Sequence, residues 1–335
     1  MRKPLTMQVL IYSSLPYERP FLEKEAGQHG ITHTDQRLSL QSVYLAKGFE
    51  AISIFTADDA SGVVLDELSK MGIRYIALRS AGYDHVDLDK AKKLGIHIAN
   101  VPDYSPYSVA EHAATMLMAF NRKIAQSRLL LQLQDYRLDT LTGFDIHGKT
   151  IGILGTGKIG MAFARIMQGF GGHVFACDPV QNPKASSLQI TYIPFDELLL
   201  QSDIISIHCP LHEHTKHLFS YDAFSKMKPD SILINTARGG IVHTEALLHA
   251  LENNHIGGAC LDVYELEKNI FFQDLRDKTI NDTMYARLLS NKKVLITGHQ
   301  GFLTKEALTG IAHTTFQNIA SWEGGAAAVH ELSIS

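Results

Sequence analysis

Residues 155–160 read Gly155-Thr156-Gly157-Lys158-Ile159-Gly160, and their setting constrains the fold more than any other feature of the chain. The apolar run TIGIL (150–154) leads into them and the amphipathic run KIGMAFARIMQGF (158–170) leads away. Strand, glycine turn and helix in that order form the phosphate-binding turn of a doubly wound dinucleotide fold. The first glycine permits the tight turn, the second lets backbone approach a pyrophosphate, and the third lets helix and strand pack closely. The N-terminus of the following helix offers unpaired N–H groups and partial positive charge to the phosphates. A second apolar run, HVFACD, ends at Asp178, 18 residues after Gly160. A carboxylate there accepts hydrogen bonds from both ribose hydroxyls and repels a 2′-phosphate. Pro179, Val180, Gln181 and Asn182 follow it, with no Lys or Arg, so the expected cofactor is NAD rather than NADP.

Short apolar runs alternate with helix-length amphipathic segments along nearly the whole chain. QVLIY (8–12), AISIF (51–55), RYIALR (74–79) and IHIAN (96–100) form a first series. KTIGILG (149–155), GHVFACD (172–178), DIISIHCP (203–210), DSILINT (230–236), GGACLDV (257–263) and KVLITG (293–298) form a second. These runs are apolar throughout, as in parallel strands covered on both faces. Residues 105–127 read as one long helix with Pro106 in its first turn, and 304–322 as a last helix. The expected fold class is therefore α/β. It has two Rossmann-like or flavodoxin-like domains with parallel sheets and an active-site cleft between them. The expected domains are 1–102 plus 300–335, a substrate (catalytic) domain, and 103–299, an NAD-binding Rossmann domain.

Composition narrows the partners. Lys plus Arg number 31 and Asp plus Glu 35, a net charge of −4, which provides no broad positive field for nucleic acid or an anionic membrane. No uncharged apolar stretch reaches the ~18–20 residues that span a bilayer, and no small-residue cleavage site follows the N-terminal run. Cys177, Cys209 and Cys260 are far apart in apolar surroundings and read as buried free thiols of a cytoplasmic protein. His208, Cys209, His212, His214 and His217 cluster, but their spacing matches no tight zinc pattern, and no metal is expected.

The C-terminal ends of the second strand series carry the groups that hydride transfer to a 2-keto acid requires. Arg238 follows SILINTA, Glu265 and Glu267 follow GACLDVY, and His299 follows VLITG. A guanidinium fork matches a carboxylate, an imidazole titrates near neutrality, and a carboxylate can orient that imidazole. Strand ends of a doubly wound sheet converge on the ligand crevice, so residues this far apart in sequence can meet.

The stretches INTARGGIVHTEAL, LDVYELE…FF and ITGHQGF resemble the D-2-hydroxyacid dehydrogenase family, in its D-lactate dehydrogenase branch. GFDIHGKTIGILGTGKIG, RSAGYDHVD and VPDYSPYSVAEH are similar to the same branch. The resemblance covers nearly the whole chain. It implies a D-specific, NAD-dependent dehydrogenase that reduces pyruvate to D-lactate reversibly, and a homodimer formed through long helices of the coenzyme domain. By matching motif, Arg238 binds the substrate carboxylate and polarises the carbonyl, His299 is the acid/base, and Glu267 pairs with it. Tyr104 borders the substrate, and backbone at Ala81 and Gly82 grips its carboxylate. Gly155, Thr156, Gly157, Lys158, Ile159, Gly160, Asp178, Cys209, Pro210, Thr236, Ala237 and Asp262 match positions that contact NAD, with Asp262 on the nicotinamide amide.

Two departures stand out. The histidine motif reads Gly298-His299-Gln300-Gly301-Phe302, where Pro or Thr before the histidine and Ala after it are more familiar, and Tyr83 puts an aromatic beside Ala81 and Gly82. Two alternatives stay open: a dehydrogenase for a bulkier 2-keto acid such as phenylpyruvate or 2-ketoisocaproate, and an NAD-sensing, corepressor-like binding protein.

Overall fold

The computed structural model describes residues 6–332. The chain divides into two compact units, 1–105 with 303–335 and 106–302. Each division falls three residues later than the sequence motifs suggested. Gly301 explains the second: its N–H donates to Asp262 and its carbonyl accepts from Ser108, which ties 300–302 to the larger unit.

The first unit runs β1 (Gln8–Ile11), α1 (Arg19–Glu25), β2 (Gly30–His33), β3 (Ala51–Ile54), α2 (Gly62–Lys70), β4 (Tyr75–Leu78), α3 (Leu88–Leu94) and β5 (His97–Ala99). Its five strands are parallel in the order β2-β1-β3-β4-β5. β3 is buried at every position, which is why AISI reads as a continuous apolar run. β2 was absent from the sequence reading. It is an edge strand with no fully buried residue, so GITH carries no apolar signature.

The second unit runs α4 (Pro106–Asn121), α5 (Ile124–Gln132), β6 (Thr150–Leu154), α6 (Lys158–Gly169), β7 (His173–Cys177), β8 (Thr191–Tyr192), α7 (Phe195–Gln201), β9 (Ile204–Ile207), α8 (Tyr221–Lys226), β10 (Ile232–Asn235), α9 (Thr244–Glu252), β11 (Gly258–Leu261), α10 (Thr283–Ser290) and β12 (Val294–Ile296). The chain then returns to the first unit as α11 (Lys305–Glu323). All seven strands are parallel in the order β12-β11-β10-β9-β6-β7-β8. Strand order reverses between β6 and β9, so the ligand crevice of this unit opens at their C-terminal ends. The sequence reading found six of the strands; two-residue β8 is too short to show periodicity.

The helix expected over 105–127 is two helices. Lys123 takes a left-handed conformation (φ 50°) between α4 and α5. Asn121 ends α4 by exchanging side-chain hydrogen bonds with the backbone N–H and C=O of Phe144 at 2.8 and 2.7 Å. One apolar core of the unit packs α4 and α6 on the sheet through Leu117, Phe163 and Met167. The other packs α7 to α10 through Leu198, Phe224, Leu248 and Leu288. Met116, Met161 and Met167 are buried in the first of these cores, and Met118 is partly buried against it. Of the cysteines only Cys260 is buried; Cys177, at the end of β7, and Cys209, just past β9, are partly exposed while packing against the apolar core.

Candidate active site

The glycine turn is held by contacts that leave no room for side chains. Gly155 has φ 94°, and a Cβ there would lie 2.7 Å from the Cys209 amide nitrogen. A Cβ on Gly160 would lie 2.0 Å from the Gly155 carbonyl oxygen. The chain leaving β6 thus passes against the chain leaving β9 at the reversal of strand order. Gly157 precedes α6, and a Cβ there would meet nothing within 4 Å, so this side of its backbone is open to approach. The Thr236 hydroxyl is buried and has no hydrogen-bond partner in the structure. A glycine cradle, an uncapped helix start, an acid at the end of β7 and an orphaned hydroxyl at the end of β10 together fit a dinucleotide.

Asp178 does more than end a strand. One oxygen accepts from the Thr156 N–H at 2.6 Å and from its hydroxyl at 3.1 Å, and the other from the Val180 N–H at 2.9 Å. Tyr192 donates its hydroxyl to the Thr156 hydroxyl at 2.9 Å and accepts from the Asn182 N–H at 2.8 Å. The Asn182 amide donates to the Thr156 carbonyl at 2.8 Å. Tyr192 was not singled out from sequence, and Asn182 was noted there only as a residue without positive charge. Both belong to the polar stretch after β7, which has no motif of its own.

Burial raises the Cys209 thiol to about 12. It also raises that of Cys177, with help from the neighbouring Asp178 charge. Neither thiol is a nucleophile near neutral pH. His208, beneath Cys209, is driven down to about 3 by burial, with Ser206 as its hydrogen-bond partner and the Phe163 ring beside it. His217 is engaged by Glu265, and His212 accepts the His214 N–H. Among the described residues no group of three or more His, Cys, Asp or Glu is placed to hold a metal ion.

The side chains expected from sequence to carry the chemistry follow three neighbouring strands. Asn235, Leu261 and Ile296 pair side by side across β10, β11 and β12, so Arg238 and His299 each lie three residues past one common level. Gly239 lets the β10 loop press on the β11 loop, since a Cβ there would sit 2.1 Å from the Tyr264 carbonyl carbon. Arg238 is extended (φ −143°) and its guanidinium donates to the Ala237 carbonyl at 2.7 Å.

His299 Nδ1 is 2.6 Å from Glu267 Oε1, and Glu267 Oε2 accepts the Tyr264 N–H at 2.8 Å. The Phe272 ring tilts over the imidazole with centroids 5.6 Å apart. His299 (φ 56°) and Phe272 (φ 61°) both have left-handed backbone, an unfavourable state for residues with a Cβ.

Asp262 lies below this pair and is 1% exposed. Its carboxylate accepts from the Thr297 hydroxyl (2.6 Å), from the N–H groups of Gln300 (2.9 Å) and Gly301 (2.8 Å), and from His112 Nε2 (3.2 Å). Burial alone would raise its pKa, but the donors, His112 and Thr297 foremost, outweigh burial and hold it below the ordinary range. Sequence reasoning passed over His112 and Thr297, although VAEH and ITGH both lie inside motifs it had noted.

In the first unit, Ala81 and Gly82 follow β4 with their carbonyls tied back, one to the Asn100 amide and one to the Ser80 hydroxyl, each at 2.7 Å. Beneath them Arg79 is fully buried. It forks onto Glu18 at 3.0 and 3.1 Å and donates to the Tyr12 carbonyl at 2.8 Å. Tyr104 is partly buried, with its carbonyl against Gly310 of α11.

Residues 114–301 match the family model described as D-isomer specific 2-hydroxyacid dehydrogenase, NAD binding domain. The chain belongs to the D-isomer-specific 2-hydroxyacid dehydrogenase family. It is similar to the D-lactate dehydrogenase of Escherichia coli, 42% identical over 97% of this chain and all of that one. A 2-hydroxyacid dehydrogenase homolog of Zymomonas mobilis is 43% identical over 95% of this chain and 98% of its own length. Among solved structures, the pyruvate reductase of Chlamydomonas reinhardtii superposes with a TM-score of 0.91 at 38% identity, covering 97% of this chain and 99% of that one. As a member of the family the protein is an NAD-dependent oxidoreductase acting on 2-hydroxy or 2-keto acids. The turn at 155–160 and Asp178 fall inside the matched region.

Proposed function

We propose that this dehydrogenase reduces pyruvate to D-lactate, reversibly, with Arg238 holding the substrate carboxylate and polarising the keto oxygen and with His299 and Glu267 as the acid–base pair. The observation that carries the reading is the 2.6 Å approach of His299 Nδ1 to Glu267. An ionised carboxylate can only accept, so Nδ1 carries a proton and Nε2 is the atom left to exchange one with substrate. Bound NADH supplies the hydride that reaches the keto carbon. Protonated His299 then donates from Nε2 to the developing alkoxide, and Glu267 stabilises the imidazolium in the direction of reduction. Arg238 contributes its fork, and Ala81 and Gly82 grip the carboxylate while Tyr104 borders it. Lys158 and Ile159 at the start of α6, with Cys209, Pro210, Thr236 and Ala237, attend the coenzyme in the same reading. Asp262, matched by motif to the nicotinamide amide, is 1% exposed and has both oxygens engaged by Thr297, Gln300, Gly301 and His112, so its side chain is assigned to the loop and not to the coenzyme. The names of the Escherichia coli and Chlamydomonas relatives favour pyruvate over a larger acid.

The enzyme is proposed to be a cytoplasmic homodimer. No helix among the described residues is long and apolar enough to cross a membrane. Around α5, Ile124, Leu129, Leu131, Leu133, Tyr136 and Leu138 are each more than half exposed, an apolar surface of the kind a second copy covers. Sedimentation of the purified protein checks this: a monomer at micromolar concentration overturns the dimer.

The deciding assay follows NADH absorbance with pyruvate, phenylpyruvate and 2-ketoisocaproate side by side and determines the chirality of the product. Pyruvate consumed fastest, with D-lactate alone formed, is the expected result. Faster turnover of a larger acid overturns the choice of pyruvate and keeps the acid–base pair. NADH binding without turnover of any acid replaces the enzyme reading with a sensor.

A further inference from the structure

His299 is held in its unfavourable backbone conformation by residues that do not touch its imidazole, and they converge on one helix face. Ser108 and His112 lie one turn apart near the start of α4, so their side chains emerge on the same side. The Ser108 hydroxyl donates to the Gly301 carbonyl at 2.6 Å. His112 Nε2 lies 3.2 Å from both Asp262 Oδ1 and the Thr297 hydroxyl. The Thr297 hydroxyl donates to Asp262, and a carboxylate only accepts, so Nε2 of His112 is a proton donor. Asp262 in turn takes the N–H groups of Gln300 and Gly301, while the His299 N–H donates to the Asp262 backbone carbonyl at 2.8 Å. Residues on both sides of His299 are thus pinned, and Asp262, itself almost fully buried, carries most of the pins.

We propose that His112, seconded by Ser108, is a positioning residue: through Asp262 and Thr297 it fixes the 297–301 loop so that the His299 imidazole meets both Glu267 and the substrate. This deepens the reading of His299 as the acid–base residue and rests on it. A small displacement of a proton donor costs turnover much more than binding, since the acid acts only as the alkoxide forms.

The test compares His112→Ala, His112→Gln and Ser108→Ala in the full-length enzyme. It measures kcat and KM for pyruvate, the dissociation constant for NADH by its fluorescence, and Tm. His112→Ala is expected to lower kcat about 10- to 100-fold, with the pyruvate KM and NADH affinity within about threefold of wild type. His112→Gln, whose amide nitrogen reaches about as far as Nε2, restores kcat to within about threefold, and Ser108→Ala loses less than His112→Ala. A wild-type kcat in His112→Ala overturns the proposal. So does a Gln variant no better than Ala, or a loss of kcat, pyruvate affinity and NADH affinity in equal proportion, which marks a merely structural residue. Should His112→Ala not fold, a His112→Gln enzyme that folds but turns over as slowly as His299→Gln overturns it equally. His299→Gln is assayed alongside: if it keeps wild-type kcat, the acid–base reading falls and takes the proposal with it.

Discussion

The loop after β11 contains two glutamates two residues apart, and each pairs with a histidine at nearly the same distance. Glu265 meets His217 at 2.5 Å and Glu267 meets His299 at 2.6 Å. Distance and residue type do not distinguish the pairs; their surroundings do. The second oxygen of Glu265 accepts from the Thr244 N–H and hydroxyl, so this carboxylate caps the first turn of α9. Its histidine partner lies edge-on to His243, 4.8 Å between centroids. Glu267 caps no named helix. Both histidines have left-handed backbone, φ 53° at His217 and φ 56° at His299, but the loop around His299 is braced by the buried carboxylate of Asp262, which takes the N–H groups of Gln300 and Gly301. A Glu–His pair whose carboxylate is shared with a helix start serves stability. The pair whose histidine loop is braced by a buried carboxylate is the one proposed for the acid–base chemistry.

The strongest way to break this contrast is to exchange the two histidines in turn for glutamine. His299→Gln is expected to lower kcat/KM for the 2-keto acid by ~10³-fold or more, and His217→Gln to leave it within about threefold. Comparable losses in both would remove the distinction. Arg238→Lys keeps the charge but loses the planar fork, and a fall of ~10²-fold in kcat/KM is expected from steady-state kinetics. Phe272→Gly sharpens the point about strain. Glycine accepts φ 61° freely, which offsets part of the packing lost when the ring leaves the apolar core, so Tm is expected to fall by no more than roughly 4 °C while kcat drops roughly tenfold with the loss of the ring over His299. Glu265→Gln is expected to leave kcat within about threefold while lowering Tm by roughly 4 °C, as the charge-assisted bonds to His217 and Thr244 weaken.

The smallest effect is on pH dependence. Burial pushes the Glu265 pKa up, but His217 and Thr244 outweigh it and hold it below the ordinary carboxylate value of 4.5. A depressed folded-state pKa gives stability that is fully present above 4.5 and is lost as pH falls through the folded value. Thermal melts between pH 6 and pH 3.5 are therefore expected to fall less steeply in Glu265→Gln than in wild type. Parallel curves would show that Glu265 contributes nothing to acid stability.

How much of this was visible in the sequence depends on which forces act locally. The continuous apolar runs of β3, β9, β10 and β11 mark strands covered on both faces, and each is buried at every position. β2 and β8 escaped because edge strands lack that demand. The break at Lys123 escaped because its cause, Asn121 bonding to Phe144, lies 23 residues downstream. Motif resemblance picked Glu267 over Glu265, but nothing in DVYELE says which carboxylate turns toward β12. That follows from Thr244 claiming the first. The link from His112 to Asp262 crosses 150 residues, and that from Ser108 to Gly301 crosses 193, so neither has a local signature. The Thr156–Tyr192 contact is closer in sequence but lies between a loop and a two-residue strand.

The bonds from Thr156 to Asp178 have a consequence for anyone who would change the coenzyme. Replacing the acid with a neutral or basic residue to admit a 2′-phosphate also cuts the staple that holds the glycine turn to the second strand. The Gly155 N–H bond to the Cys177 carbonyl, with Tyr192 and Asn182, would then be left to keep the turn in shape. Preference for one nucleotide and rigidity of the turn are inherited together in this chain. A successful switch has to rebuild the second while it alters the first.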